Sequence, residues 1–99
     1  MDIYEAIKKS ATSIGLVGKW DGYTYYVEID GVSKVWNPLE NETDALLLLM
    51  NRDIQIYTTI NSNGKEIGFH GGDLKVVFKT PEQRKQKYLE LITRIAAGE

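Results

Sequence analysis

His70 is the only histidine in the chain and stands between two carboxylates, Glu66 and Asp73. An imidazole with two acids is the raw material of a metal site or an acid–base pair. The three fall around a hairpin, however, which has no need to converge them. No second His and no Cys exists to complete a zinc set, so His70 reads as a hairpin-tip residue. Gly68, Gly71 and Gly72 match neither phosphate-loop pattern and join strands instead of opening a helix. Glu40, Glu42 and Asp44 could chelate a cation, but they also sit where a helix begins, and acids there suit the helix dipole. No Ser, His and Asp arrangement stands out. Asn41-Glu42-Thr43 is a glycosylation sequon, without consequence in a cytosolic chain. The expectation is a protein with no catalytic residues, no metal and no cofactor.

Two other groups suit binding. Trp20, Tyr23, Tyr25, Tyr26 and Trp36 crowd one hairpin on both its faces, and Tyr and Trp make good contact residues when a core does not consume them. The alternative is that they fill the core. A second group, Lys75, Lys79, Arg84, Lys85 and Lys87, gives the C-terminal half a mild basic bias that could meet a polyanion. Set against that is a formal net charge of −2 over the whole chain, whereas nucleic-acid domains are usually strongly basic.

Positioning these residues takes one domain spanning residues 1–99, close to the common domain size. Apolar residues make up 42% and charged residues 26% of the chain, which is ordinary for a folded globule. The absence of cysteine suits a reducing compartment. The N-terminus lacks the basic start and apolar run of a secretory signal, and no apolar run approaches the roughly 20 residues of a bilayer span. The chain reads as soluble, cytoplasmic and without a membrane partner.

Ile3, Ala6, Ile7, Ala11 and Ile14 recur at helical spacing behind the N-cap candidate Asp2, and Gly15 marks the exit. Lys19-Trp20-Asp21-Gly22 reads as a turn into the sheet. Tyr23 to Ile29 alternates, Asp30-Gly31 is a type I′ hairpin signal, and Val32 to Trp36 returns. That register sets Val27 opposite Lys34, on the apolar face; either Lys34 snorkels at a sheet edge or a bulge shifts the pairing. Asn37-Pro38 stops the strand. Asn41 caps a helix over about 42–51, with Asp44 in the place of a capping box. Its run Ala45-Leu46-Leu47-Leu48-Leu49-Met50 predicts burial on more than one face, so Leu46, Leu48, Leu49, Ile54 and Ile92 are expected in the core.

Ile54 to Ile60 alternates as a strand, Asn61-Ser62-Asn63-Gly64 is a turn signal, and Lys65 to His70 is the next strand. Gly71-Gly72-Asp73 loops into a strand over 74–79. Thr80-Pro81-Glu82-Gln83 opens the last helix with an N-cap, a proline in the first turn and a Gln to close the box. Tyr88, Leu91, Ile92, Ile95 and Ala96 form its stripe. The order α-β-β-α-β-β-β-α with tight hairpins predicts an α+β fold carrying one mainly antiparallel five-stranded sheet and three helices.

Trp36-Asn37-Pro38-Leu39, followed by Asp44-Ala45-Leu46 and an apolar helix running into Ile54-Gln55-Ile56, resembles the phage ABA sandwich domain family. The closing segment LITRIAA over 91–97 is loosely similar as well, although Lys and Gln stand in that helix where the family has more Ala. The resemblance implies an α/β/α sandwich and a phage or prophage origin, and it implies no activity. The chain is therefore expected to be an accessory protein that binds a macromolecule, a host or phage protein, as a homodimer through the aromatic hairpin. A nucleic-acid or nucleotide binder using residues 75–87 is the alternative.

Overall fold

The computed structural model describes residues 2–61 and 64–98. In chain order its elements are α1 (Ile3–Ser13), β1 (Gly18–Trp20), β2 (Tyr25–Ile29), β3 (Val32–Val35), α2 (Glu42–Asn51), β4 (Ile56–Asn61), β5 (Gly64–Phe69), β6 (Val76–Phe78) and α3 (Pro81–Ala96). The α+β class follows the sequence. The single five-stranded sheet does not: six strands form two antiparallel sheets, ordered β1-β2-β3 and β4-β5-β6. Turn chemistry decides which strands pair within a hairpin run, but α2 separates the runs, and nothing local specifies that they join.

The local signals hold closely. Asp2 Oδ1 accepts from Glu5 N–H at 2.8 Å and opens α1. At the other end Gly15 adopts φ +81°, letting Leu16 N–H reach back to the Ala11 carbonyl; this is the left-handed exit that glycine allows without a Cβ clash. Asp30 and Gly31 both take positive φ, 53° and 79°, as a type I′ turn requires. The expected register stands, with Ile29 opposite Val32 and Val27 opposite Lys34. Lys34 is exposed on the edge strand β3, so it leaves the apolar face by snorkelling and needs no bulge. The turn expected at Ser62-Asn63 lies outside the described residues.

β1 is the strand that sequence reasoning missed. Gly18-Lys19-Trp20 pairs with β2, Trp20 opposite Tyr25, yet three residues are too few to show an alternating pattern. Gly18 is required there, because a Cβ would lie 2.3 Å from the Tyr26 carbonyl oxygen.

α3 holds the fold together. Leu89, Ile92 and Ala96 enter a core with Ile7 and Ala11 of α1, Tyr25, Val27 and Trp36 of the first sheet, and Ala45 and Leu48 of α2. Leu91 enters a second core with Ile67, Val76 and Phe78 of the other sheet, where Ile95 packs too. At about 100° per residue these are two neighbouring stripes of one helix. Ile56 and Tyr88 touch both cores. The N-terminus of α3 is built from polar detail: Thr80 Oγ1 accepts from Gln83 N–H, and the Gln83 carbonyl Oε1 takes Lys79 N–H at 2.9 Å. The box thus closes one residue earlier than the usual pattern.

α2 departs from expectation. Leu48 and Ala45 are buried and Leu47 and Leu49 half-buried, but Leu46 is 52% and Met50 69% exposed. A helix apolar on every side can still be covered on one side only. Ile54 is half-buried and Ile92 buried.

Candidate binding surface

The outer face of the first sheet follows from β-strand alternation. Tyr25 and Val27 point inward, so Tyr26 and Glu28 point outward. Pairing places Lys19 and Val35 beside Tyr26, and Ser33 beside Glu28. All five are exposed, so among the described residues no helix lies over this face. The expected α/β/α layering fails here: the helices gather on the inner faces of the sheets. A shallow concavity lined by Val17, Lys19, Tyr26, Glu28 and Ser33 crosses the surface.

Asp21 shapes one end of it. Its carboxylate Oδ1 accepts from Tyr23 N–H at 2.9 Å and Thr24 N–H at 2.7 Å, a side-chain turn of the kind Asp favours. Those two bonds, with a smaller contribution from the Tyr26 hydroxyl, hold the carboxyl below its ordinary pKa of 3.8.

The aromatic residues separate into three environments. Trp36 is 1% exposed and is no surface contact. Its Nε1–H donates to Ser10 Oγ at 3.1 Å, and that hydroxyl donates onward to the Ile7 carbonyl at 2.7 Å. This corrects its place among the binding candidates: a large ring with its one donor satisfied is cheaper buried. Trp20 is half-buried on the inner face, between Tyr4 and Tyr25 at ring-centroid distances of 5.3 and 5.0 Å. Tyr23 is expected on the inner face but is 90% exposed, because the Asp21 turn ends the strand before it. Tyr26 alone sits centrally on the free face.

The basic residues do not form one patch. Lys85 pairs with Glu42 of α2, and Lys87 with Glu90 at 3.2 Å. The Arg84 guanidinium lies 5.6 Å above the Phe78 ring and 3.4 Å from Thr58 Oγ1. Lys75 and Lys79 flank β6 and are exposed. Exposed ion pairs contribute little to stability, but each neutralises a charge that a polyanion would need.

The motif residues around α2 have structural work. Asp44 is buried and its Oδ2 accepts from Asn37 N–H at 2.9 Å, while Asn37 Oδ1 accepts from Leu39 N–H. Asn41 Oδ1 caps the helix by accepting from Thr43 and Asp44 N–H. The Trp-Asn-Pro-Leu turn and the Asp-Ala-Leu helix start are thus two ends of one clamp. Burial raises the Asp44 pKa above 3.8, against the opposing pull of the Asn37 bond and of Lys34. Glu40, Glu42 and Asp44 do not converge, and no group of three metal-ligating side chains exists among the described residues. The His70 ring meets the Tyr57 ring at a centroid distance of 5.1 Å, tilted by 51°.

Sequence reasoning passed over Val17 and Val35, apolar residues on the free face. Alternation from Val27 places Val35 outside once the register is known, but not before. No helix is long and apolar enough to cross a membrane among the described residues. No family model, no curated protein and no solved structure matches this chain.

Proposed function

We propose that this chain is a small non-enzymatic binding protein of phage or prophage origin that docks a protein partner on the outer face of its first sheet. The origin rests on the Trp36-Asn37-Pro38-Leu39 and Asp44-Ala45-Leu46 segments. The docking surface rests on one observation: Tyr26, with Val17 and Val35, stands exposed at the centre of a sheet face that no helix covers. An exposed Tyr flanked by valines has the composition of an interface core, and the rim carries one Lys and one Glu. A face of balanced charge suits a protein surface with an apolar centre and gives a polyanion no footing.

A photo-crosslinking residue at position 26, compared with one at Val77 on the outer face of the other sheet, tests the assignment. Position 26 is expected to give one protein adduct that Val35→Glu abolishes while the melt is unchanged. Equal adducts from both positions, or an adduct with RNA or DNA, would overturn the proposal.

A further inference from the structure

Each sheet has two edge strands, and each edge exposes unpaired backbone groups that natural proteins usually guard with charge, proline or a bulge. Three of the four edges here are guarded. β1 contains Lys19, β3 contains Lys34, and β6 is bracketed by Lys75 and Lys79. β4 is the exception. Its sequence Ile-Tyr-Thr-Thr-Ile-Asn holds no charge and no proline, it is the longest of the edge strands, and it pairs with β5 without a bulge.

The direction of its free groups follows from one bond. His70 N–H donates to the Gln55 carbonyl at 3.0 Å, extending the β4–β5 ladder by one pair. In an antiparallel ladder, bonded pairs alternate with non-bonded ones. Gln55, Tyr57 and Thr59 therefore bond to β5, and Ile56, Thr58 and Ile60 aim their N–H and C=O groups away from the sheet. These same three residues carry side chains on the inner face, where Ile56 packs on the core and Ile60 is left 75% exposed.

We infer that β4 pairs with β4 of a second copy, antiparallel about a two-fold axis at Thr58, joining two three-stranded sheets into one of six. In that register Thr58 faces its own copy and Ile56 faces Ile60 of the other chain. All three are outward-bonding positions, so each pair exchanges two N–H···O bonds. On the opposite face Tyr57 meets Thr59. Between residues 56 and 60 each cross-strand pair is then apolar with apolar, aromatic with β-branched, or Thr with Thr, the favourable classes. No charged residue lies within the paired strands themselves, and the Arg84 side chain, 3.4 Å from Thr58 Oγ1, must turn away from the two-fold axis. The self-complementary order of Ile56, Thr58 and Ile60 selects a second copy as occupant, and a single such edge per protomer closes the assembly at two. This surface is distinct from the Tyr26 face, and the sheet that holds the hairpin expected to dimerise has a lysine on each of its edge strands.

Sedimentation across micromolar to millimolar concentrations, with amide exchange read residue by residue, tests this. The expected species has twice the protomer mass, and the Ile56, Thr58 and Ile60 amides gain protection with concentration. Tyr57 and Thr59 amides stay protected throughout. Thr58→Pro removes an outward donor that β5 does not use, and Ile60→Lys adds the missing guard; each is expected to give a folded monomer. Tyr26→Glu should leave the dimer intact. A wild-type monomer at every concentration, growth beyond two copies, protection of Ile56, Thr58 and Ile60 that ignores concentration, a dimer that survives Ile60→Lys, or a monomer produced by Tyr26→Glu would each overturn the inference.

Discussion

Leu91→Ala tests whether α3 is the member that joins the two cores. Leu91 is fully buried and packs with Ile67, Val76 and Phe78. Truncation removes its transfer free energy and leaves a cavity, a loss of about 2–5 kcal/mol for a buried Leu. The value should fall in the upper half of that range, because two of its neighbours are held by sheet pairing, Ile67 opposite Val76, and cannot collapse inward. Against a typical total of about 5–15 kcal/mol, the midpoint in urea should drop by roughly a quarter or more with little change in slope. For a domain near 100 residues each kcal/mol moves Tm by roughly 4–8 °C, so the melt should fall by at least about 10 °C.

The control is Leu46→Ala, half-exposed on α2, which should stay within about 0.5 kcal/mol. Trp36 sits in the other core and reports on it by fluorescence once Trp20, which packs on the same core, is replaced by Phe in every variant. If α3 couples the cores, Trp36 fluorescence and far-ultraviolet ellipticity of Leu91→Ala shift together. A loss under about 1 kcal/mol, or a Trp36 transition that stays at the wild-type midpoint while ellipticity moves, would refute this account of α3.

Asp44→Ala leaves Asn37 N–H without its partner and should cost about 1–3 kcal/mol by denaturant titration, whereas Asp44→Asn keeps an acceptor there and should be nearly neutral. Because the folded Asp44 pKa lies above 3.8, the native state binds more proton between 3.8 and that value. Wild type should therefore lose stability relative to Asp44→Asn as pH rises through this window and hold a constant difference above it; the opposite slope would contradict the burial argument. Thr80→Ala should cost about 1 kcal/mol through loss of the N-cap, read from the urea midpoint. Gly72→Ala should destabilise by about 1–3 kcal/mol, since its Cβ would sit 2.2 Å from the Phe69 ring and the ring must shift; an unchanged melt would mean the ring moves freely.

What the sequence determined by itself was local. Asp2, Asn41 and Thr80 cap helices because each presents an oxygen to N–H groups with no partner inside the helix, and Asp30-Gly31 turns because both residues tolerate positive φ. These outcomes depend on neighbours within a few residues. Likewise the Tyr88-Leu91-Ile92-Ile95 pattern announced an apolar helix, though not that its stripes would serve different sheets. Tertiary structure decided the rest. Whether β3 and β4 pair, whether Leu46 and Met50 are covered, and which of Trp36, Tyr23 and Tyr26 stays outside are settled by competition for a limited inner surface. Trp36 won an inner place through Ser10, twenty-six positions away, and Tyr23 lost one to the two backbone bonds of Asp21. An alternating pattern states that one face of a strand is apolar; only the packing of α3 into both cores determines how much of that face is sheltered from water.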